Sequence, residues 1–130
     1  MSGRCYVDAS AIVKLVLEEP ETPAMARWFV EATYAMTSQV GVVETRRAAA
    51  RRPHDAEHRE LVLRDLEVLE FTPAIAAAAA SVQPPSTRIL DAIHLASALA
   101  IASELDAFVT YDDRLAEAAR RLGLPVVRPA

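Results

Sequence analysis

Two strand-like runs that end in a carboxylate and pass at once into a helical segment constrain this chain more than any other feature. They read Tyr6-Val7-Asp8-Ala9-Ser10 and Val109-Thr110-Tyr111-Asp112-Asp113. Both belong to a longer alternation. Strands are predicted over Cys5–Val7, Tyr34–Thr37, Val68–Phe71, Ala107–Thr110 and Pro125–Val127. Helical period fills the intervals: Ala11–Glu18, Glu21–Ala32, Gln39–Arg52, Asp55–Leu66, Pro73–Val82, Arg88–Leu105 and Asp113–Leu122, the last followed by Gly123 in a C-capping position. Strands alternating with helices argue for a doubly wound, parallel α/β sheet. Such sheets bind ligands beyond the C-terminal ends of their strands, near the point where strand order reverses. Asp8 and Asp112 stand at that edge.

The 130 residues, 52% of them apolar, suit one compact domain spanning residues 1–130. No apolar run approaches the roughly 20 residues that cross a bilayer, and an acid as early as Asp8 argues against a signal peptide. The single cysteine, Cys5, excludes an intramolecular disulfide and a cysteine-based zinc cluster. A soluble cytoplasmic protein is expected. Its net charge of −4 excludes nucleic-acid binding by bulk positive charge. Any such role must rest on a local basic patch, or on metal ions that reverse the sign of an acidic pocket.

Four acids are candidates for such a pocket, and each has a plain structural alternative. Asp8 can cap the helix that follows, although Ser10 is an equally good cap. Asp112 has the same alternative, with Asp113 as a substitute cap. Glu44 lies one helical turn from Val40 and from Ala48, on a largely apolar face, where Arg46 or Arg47 could pair with it. Asp91 is the strongest signal. Between Ile89 and Ala102 the only polar side chains are Asp91, His94 and Ser97, so the helix belongs in the interior. A carboxylate there needs a cation or several donors. Arg88, one turn earlier, is the structural alternative. His94 is assigned to packing, with a role in orienting Asp91.

Convergence of the four changes their chemistry. Two unit charges about 4 Å apart repel by about 4 kcal/mol at an effective dielectric near 20. Four carboxylates in one pocket therefore call for a cation, and oxygen-only donors select hard ions such as Mg²⁺ or Mn²⁺. Ions of this kind commonly serve phosphoryl transfer.

With these residues aligned, the chain resembles a PIN domain, in particular a VapC-type toxin ribonuclease. Four blocks in order carry the resemblance: Tyr6-Val7-Asp8-Ala9-Ser10-Ala11, Val43-Glu44, Leu90-Asp91-Ala92-Ile93-His94-Leu95-Ala96 and Thr110-Tyr111-Asp112. Asp113-Arg114-Leu115-Ala116 through Gly123-Leu124-Pro125 resembles that family's last helix and strand. The resemblance implies a three-layer α/β/α domain around a central parallel sheet of four or five short strands. It also implies a metal-dependent endoribonuclease, using one or two Mg²⁺ or Mn²⁺ ions as cofactor, that leaves a 3′-hydroxyl and a 5′-phosphate. Asp8 and Asp91 match the principal ligands, Glu44 and Asp112 complete the acidic pocket, and Ser10 and Thr110 match supporting hydroxyls. A homodimer and inhibition by a VapB-type antitoxin are implied as well.

Arg46, Arg47 and Arg51, with Arg52, form the densest basic cluster and are candidates for RNA contact; a solvated face balanced by Asp55, Glu57 and Glu60 is the alternative. Met25, Trp28 and Phe29 are read as core. A receiver-type phosphoryl switch would need a lysine after its last strand, but the only lysine, Lys14, lies in the first helix. An aspartyl-nucleophile phosphatase would want an acid at position 10, which is serine. The remaining alternative is a catalytically silent PIN-like module that binds RNA or a partner.

Overall fold

A computed structural model describes residues 2–130. Five parallel strands, β1 (Ser2–Val7), β2 (Ala32–Ser38), β3 (Glu67–Leu69), β4 (Ala107–Val109) and β5 (Val126–Val127), make one sheet in the order β3-β2-β1-β4-β5. The chain winds outward from β1 through β2 to β3, then returns to the other side of β1 for β4 and β5. Strand order therefore reverses between β1 and β4, which pair in register from Cys5 with Ala107 to Val7 with Val109.

Alternation along these strands builds two cores, because successive side chains leave opposite faces of a sheet. On one face Cys5, Val7 and Val109 pack with Ala11, Ile12 and Leu15 of α1 (Ala9–Val16), Met25 of α2 (Thr22–Glu31), Ala49 of α3 (Gln39–Ala50) and Val62 and Leu63 of α4 (Ala56–Arg64). On the other, Tyr6 and Phe108 pack with Leu95 and Ala98 of α6 (Ile89–Leu99) and Leu115 and Ala119 of α7 (Asp113–Arg121). The alanine-rich α5 (Pro73–Ala80) lies against α6. The architecture is a three-layer α/β/α sandwich. Met25 is fully buried and Trp28 and Phe29 pack partly buried against the same core. Cys5 sits inside it, and burial, aided by the nearby Asp106 charge, pushes its thiol up to about 12.

The long helix expected over Arg88–Leu105 is shorter. It stops at Leu99, and Ala102–Glu104 form a separate 3₁₀ turn. No Gly or Pro marks that break. Tertiary demand imposes it: Leu105 must reach the second core, and the Asp106 side chain must accept the Arg4 backbone N–H at 2.9 Å beside β1. The helix is also interior only from Asp91 to Ala98, since Ile89 and Leu90 are exposed. At the end of α7, Gly123 adopts φ +81°, the left-handed conformation glycine tolerates best. The Gly123 N–H donates to Arg120 O and the Leu124 N–H to Ala119 O, both at 3.0 Å, closing a Schellman cap. Among the described residues no helix is long and apolar enough to cross a membrane.

Candidate active site

Asp8 is the first residue beyond β1, and its extended backbone (φ −84°, ψ 175°) makes it the N-cap of α1. Asp8 itself, and not Ser10, fills that role: its Oδ1 accepts the Ala11 N–H at 3.1 Å and the Ser10 hydroxyl at 2.7 Å. The other oxygen, Oδ2, accepts the Thr110 hydroxyl at 2.7 Å. Thr110 Oγ1 in turn accepts the Asp112 N–H at 3.0 Å, and Ser10 Oγ accepts the Tyr111 N–H at 2.8 Å. These bonds lace the end of β1 to the end of β4 across the switch point. Asp8 is 3% exposed, and among the described residues no cation pairs with it. Desolvation pushes its carboxyl up in pKa, although the Ser10 and Thr110 hydroxyls pull the other way.

Asp112, rather than Asp113, caps α7, accepting the Leu115 N–H at 3.1 Å. Asp113 turns outward to Arg128 at 2.6 Å. Asp91 lies in the first turn of α6 and is buried. Arg88 pairs with it at 3.3 Å and reaches toward Asp112 at 3.9 Å, one guanidinium serving two acids. The Arg88 side chain is 55% exposed, so this contact is a partly solvated one.

Glu44 lies at the margin of the buried stripe of α3, which runs through Gly41, Thr45 and Ala49. Neither Arg46 nor Arg47 pairs with it. Its partner is His94, whose Nε2 stands 2.6 Å from Glu44 Oε1 while Nδ1 stands 2.7 Å from the Tyr6 hydroxyl. His94 is packed in the interior at 2% exposure, but it serves Glu44 and makes no hydrogen bond to Asp91. The burial of His94 was legible from its apolar helix. Its partners, 50 and 88 residues away, carry no local signal. The same holds for the reach of Arg88 to Asp112.

Asp8, Glu44, Asp91 and Asp112 line one open cleft of about 490 Å³, together with Ser10, His94, Arg47 and Arg51. Arg46 is not among its walls; its guanidinium forks Glu60 at 2.6 and 3.0 Å on the exposed side of α3. A second depression of about 500 Å³, lined by Arg88, Arg114 and Arg121, meets the first at Asp91.

The donor chemistry suits a hard divalent ion. Carboxylate and hydroxyl oxygens face the cleft, both nitrogens of His94 are engaged, and Cys5 is sealed in the core. A buried carboxylate with no protein cation is the strongest local demand for one. Among the described residues, no three His, Cys, Asp or Glu side chains are already gathered as a ligand shell.

Comparison with known proteins bears on the same residues. The PIN domain family model matches residues 5–121. Ribonuclease VapC47 of Mycobacterium tuberculosis is 39% identical over 130 residues, covering 95% of this chain and 96% of its own. Ribonuclease VapC35 of the same species is 42% identical over 129 residues, covering 95% and 96%. Among solved structures, the M. tuberculosis sarcin-ricin loop cleaving toxin VapC20 superposes with a TM-score of 0.72 at 18% identity, covering 96% of this chain and 99% of its own. FitAcB from Neisseria gonorrhoeae gives 0.69 at 17% identity, covering 94% and 95%. VapBC2 from Rickettsia felis, bound to a DNA fragment from its promoter, gives 0.69 at 12%, covering 98% and 99%. These last likenesses concern the fold; the family match and the full-length relatives carry the assignment, and the chain belongs to the PIN domain family.

Proposed function

We propose that this single-domain chain is a Mg²⁺- or Mn²⁺-dependent endoribonuclease, the toxin of a toxin–antitoxin pair, cutting phosphodiester bonds to leave a 3′-hydroxyl and a 5′-phosphate. One observation carries the reading: acids from four separate segments face a single cleft at the switch point, and the most buried, Asp8, pairs with no cation among the described residues. Support comes from full-length relatives named ribonucleases at 35–42% identity.

Asp8 and Asp91 hold the ion, with Glu44 and Asp112 completing the negative rim. When bound, the ion neutralises nonbridging phosphate oxygens and activates a water. Ser10 and Thr110 fix both oxygens of Asp8, so that this carboxylate needs no rearrangement. Arg47 and Arg51, whose planar forks match phosphate geometry, contact the RNA backbone on one side of the cut. Arg88 is exposed enough to exchange its two acids for a substrate phosphate on the other side. FitAB and VapBC2 share the fold, which supports a VapB-type antitoxin as partner; a homodimeric toxin rests on the family resemblance.

Expression of wild type beside Asp91→Asn, followed by sequencing of 5′-phosphate ends, tests the reading. Wild type is expected to generate a defined set of new ends and to arrest growth, with relief when the neighbouring reading frame is co-expressed. Asp91→Asn should lower cleavage by about 100-fold or more while melting like wild type. Equal ends from the two proteins would remove Asp91 from the chemistry. No new ends from either would favour a silent RNA- or partner-binding module.

A further inference from the structure

The geometry points to a role for His94 in the same site: we propose that it is a positioning residue that holds the Glu44 carboxylate on the cleft wall, locked by Tyr6 into the form that carries its proton on Nε2. Its kinetic consequence rests on the nuclease reading; its geometry does not.

Three elements meet at this ring. Tyr6 of β1 is fully buried, stacked on Phe108 with centroids 5.4 Å apart and planes 8° apart, which fixes the position of its ring. That hydroxyl lies 2.7 Å from His94 Nδ1. A tyrosine hydroxyl keeps its proton at neutral pH and can donate it. With Nδ1 as acceptor, the ring proton sits on Nε2 and is donated to Glu44 Oε1 at 2.6 Å. The ring has little room to flip. Tyr6 meets it edge-on at 5.8 Å, and a Cβ added at Gly41 of α3 would lie 3.6 Å from its Cε1 and 2.1 Å from the buried Thr37 Oγ1. Glycine at 41 leaves room for the Thr37 hydroxyl, and the α3 backbone there packs beside the ring. Among the described residues Glu44 makes no other side-chain hydrogen bond, so without His94 this flexible, 31% exposed side chain is untethered. The arrangement parallels the outer-shell hydrogen bonds that orient metal-binding carboxylates, whose loss typically weakens metal affinity or activity by about 10–100-fold.

The substitutions that separate positioning from packing are His94→Gln and His94→Asn. A glutamine amide nitrogen can stand near Nε2 and keep the bond to Glu44; an asparagine amide stands near Nδ1 and cannot. His94→Gln is expected to retain kcat within a few-fold, and His94→Asn to lose about 10–100-fold with KM little changed. The Mn²⁺ concentration that half-saturates the thermal shift should rise in the asparagine variant alone. In the wild-type protein, ¹⁵N NMR of the ring should show a protonated Nε2 and an acceptor Nδ1. A proton on Nδ1, or equal kinetics and equal Mn²⁺ responses in the two variants, would overturn the proposal. Should both variants fail to fold, the wild-type spectrum decides it. Should wild type cleave no RNA while the ring shows the Nε2 form and the Mn²⁺ responses still separate, the nuclease reading fails and the positioning role stands.

Discussion

Asp8 and Glu60 are carboxylates in the same protein under opposite electrostatic conditions. Glu60, on the outer face of α4, is gripped by Arg46 and Arg59 and held down to about 2. Asp8, at the switch point, has hydroxyls and a backbone N–H but, among the described residues, no cation, and burial pushes it up. The chain has fewer basic side chains than acids, 14 against 18, and several arginines are committed to partners outside the cleft, such as Glu60, Glu19 and Glu117. Among the described residues, the one arginine that pairs with cleft acids is Arg88, shared between Asp91 and Asp112, while Arg47 and Arg51 line the cleft without pairing with them. A surface pair of this kind contributes little to stability, whereas a buried charge left without a counter-ion is a standing demand for something outside the polypeptide.

Supplying that missing cation is the strongest way to break the contrast. Mn²⁺ or Mg²⁺ at about 100 times its dissociation constant should stabilise wild type by about 2.7 kcal/mol, read as a rise in melting temperature. The Asp8→Asn/Asp91→Asn protein should show none of this rise; an undiminished shift would mean the ion binds elsewhere.

A smaller effect should appear without metal. Asn is as good an N-cap as Asp, so Asp8→Asn keeps the cap and removes the buried charge. In EDTA at pH 7 it should melt higher than wild type. The sign follows from linkage. Because the folded Asp8 pKa lies above the unfolded value near 3.8, the native state binds more protons in that window, and wild type gains stability as pH falls toward it. The gap between the two proteins should therefore close on acidification. A gap that widens would place the Asp8 charge among the stabilising ones.

Least of all should come from the other region. Glu60→Gln should shift the melting temperature only slightly, and less in high salt. The small contribution of Glu60 is present above about pH 4.5 and lost as pH falls toward about 2, opposite in direction to Asp8.

What the sequence revealed of this site follows from how local each signal is. Asp8 and Asp112 were visible because a strand, a cap and a helix start occupy consecutive residues. Asp91 was visible because its neighbours on α6 are apolar, a conflict contained in one helix. Asp8 is both cap and cleft acid, a double use the sequence does not reveal because Ser10 is an equally good cap there; in the fold Ser10 instead donates to Asp8. The His94–Glu44 bond, the Tyr6 contact and the reach of Arg88 to Asp112 depend on how α3, α6 and β4 meet, which no window of neighbouring residues encodes. The early end of α6 was hidden for the same reason: Leu105 and Asp106 stop the helix through their tertiary partners, where the local composition alone would have continued it.

The interior placement of Cys5 carries a practical corollary. With its thiol held near 12 and sealed beneath α1, the chain's sole sulfhydryl presents almost no thiolate to peroxide, maleimide or disulfide reagents at neutral pH. The folded protein should behave identically with or without reductant, and labelling at this position reports unfolding.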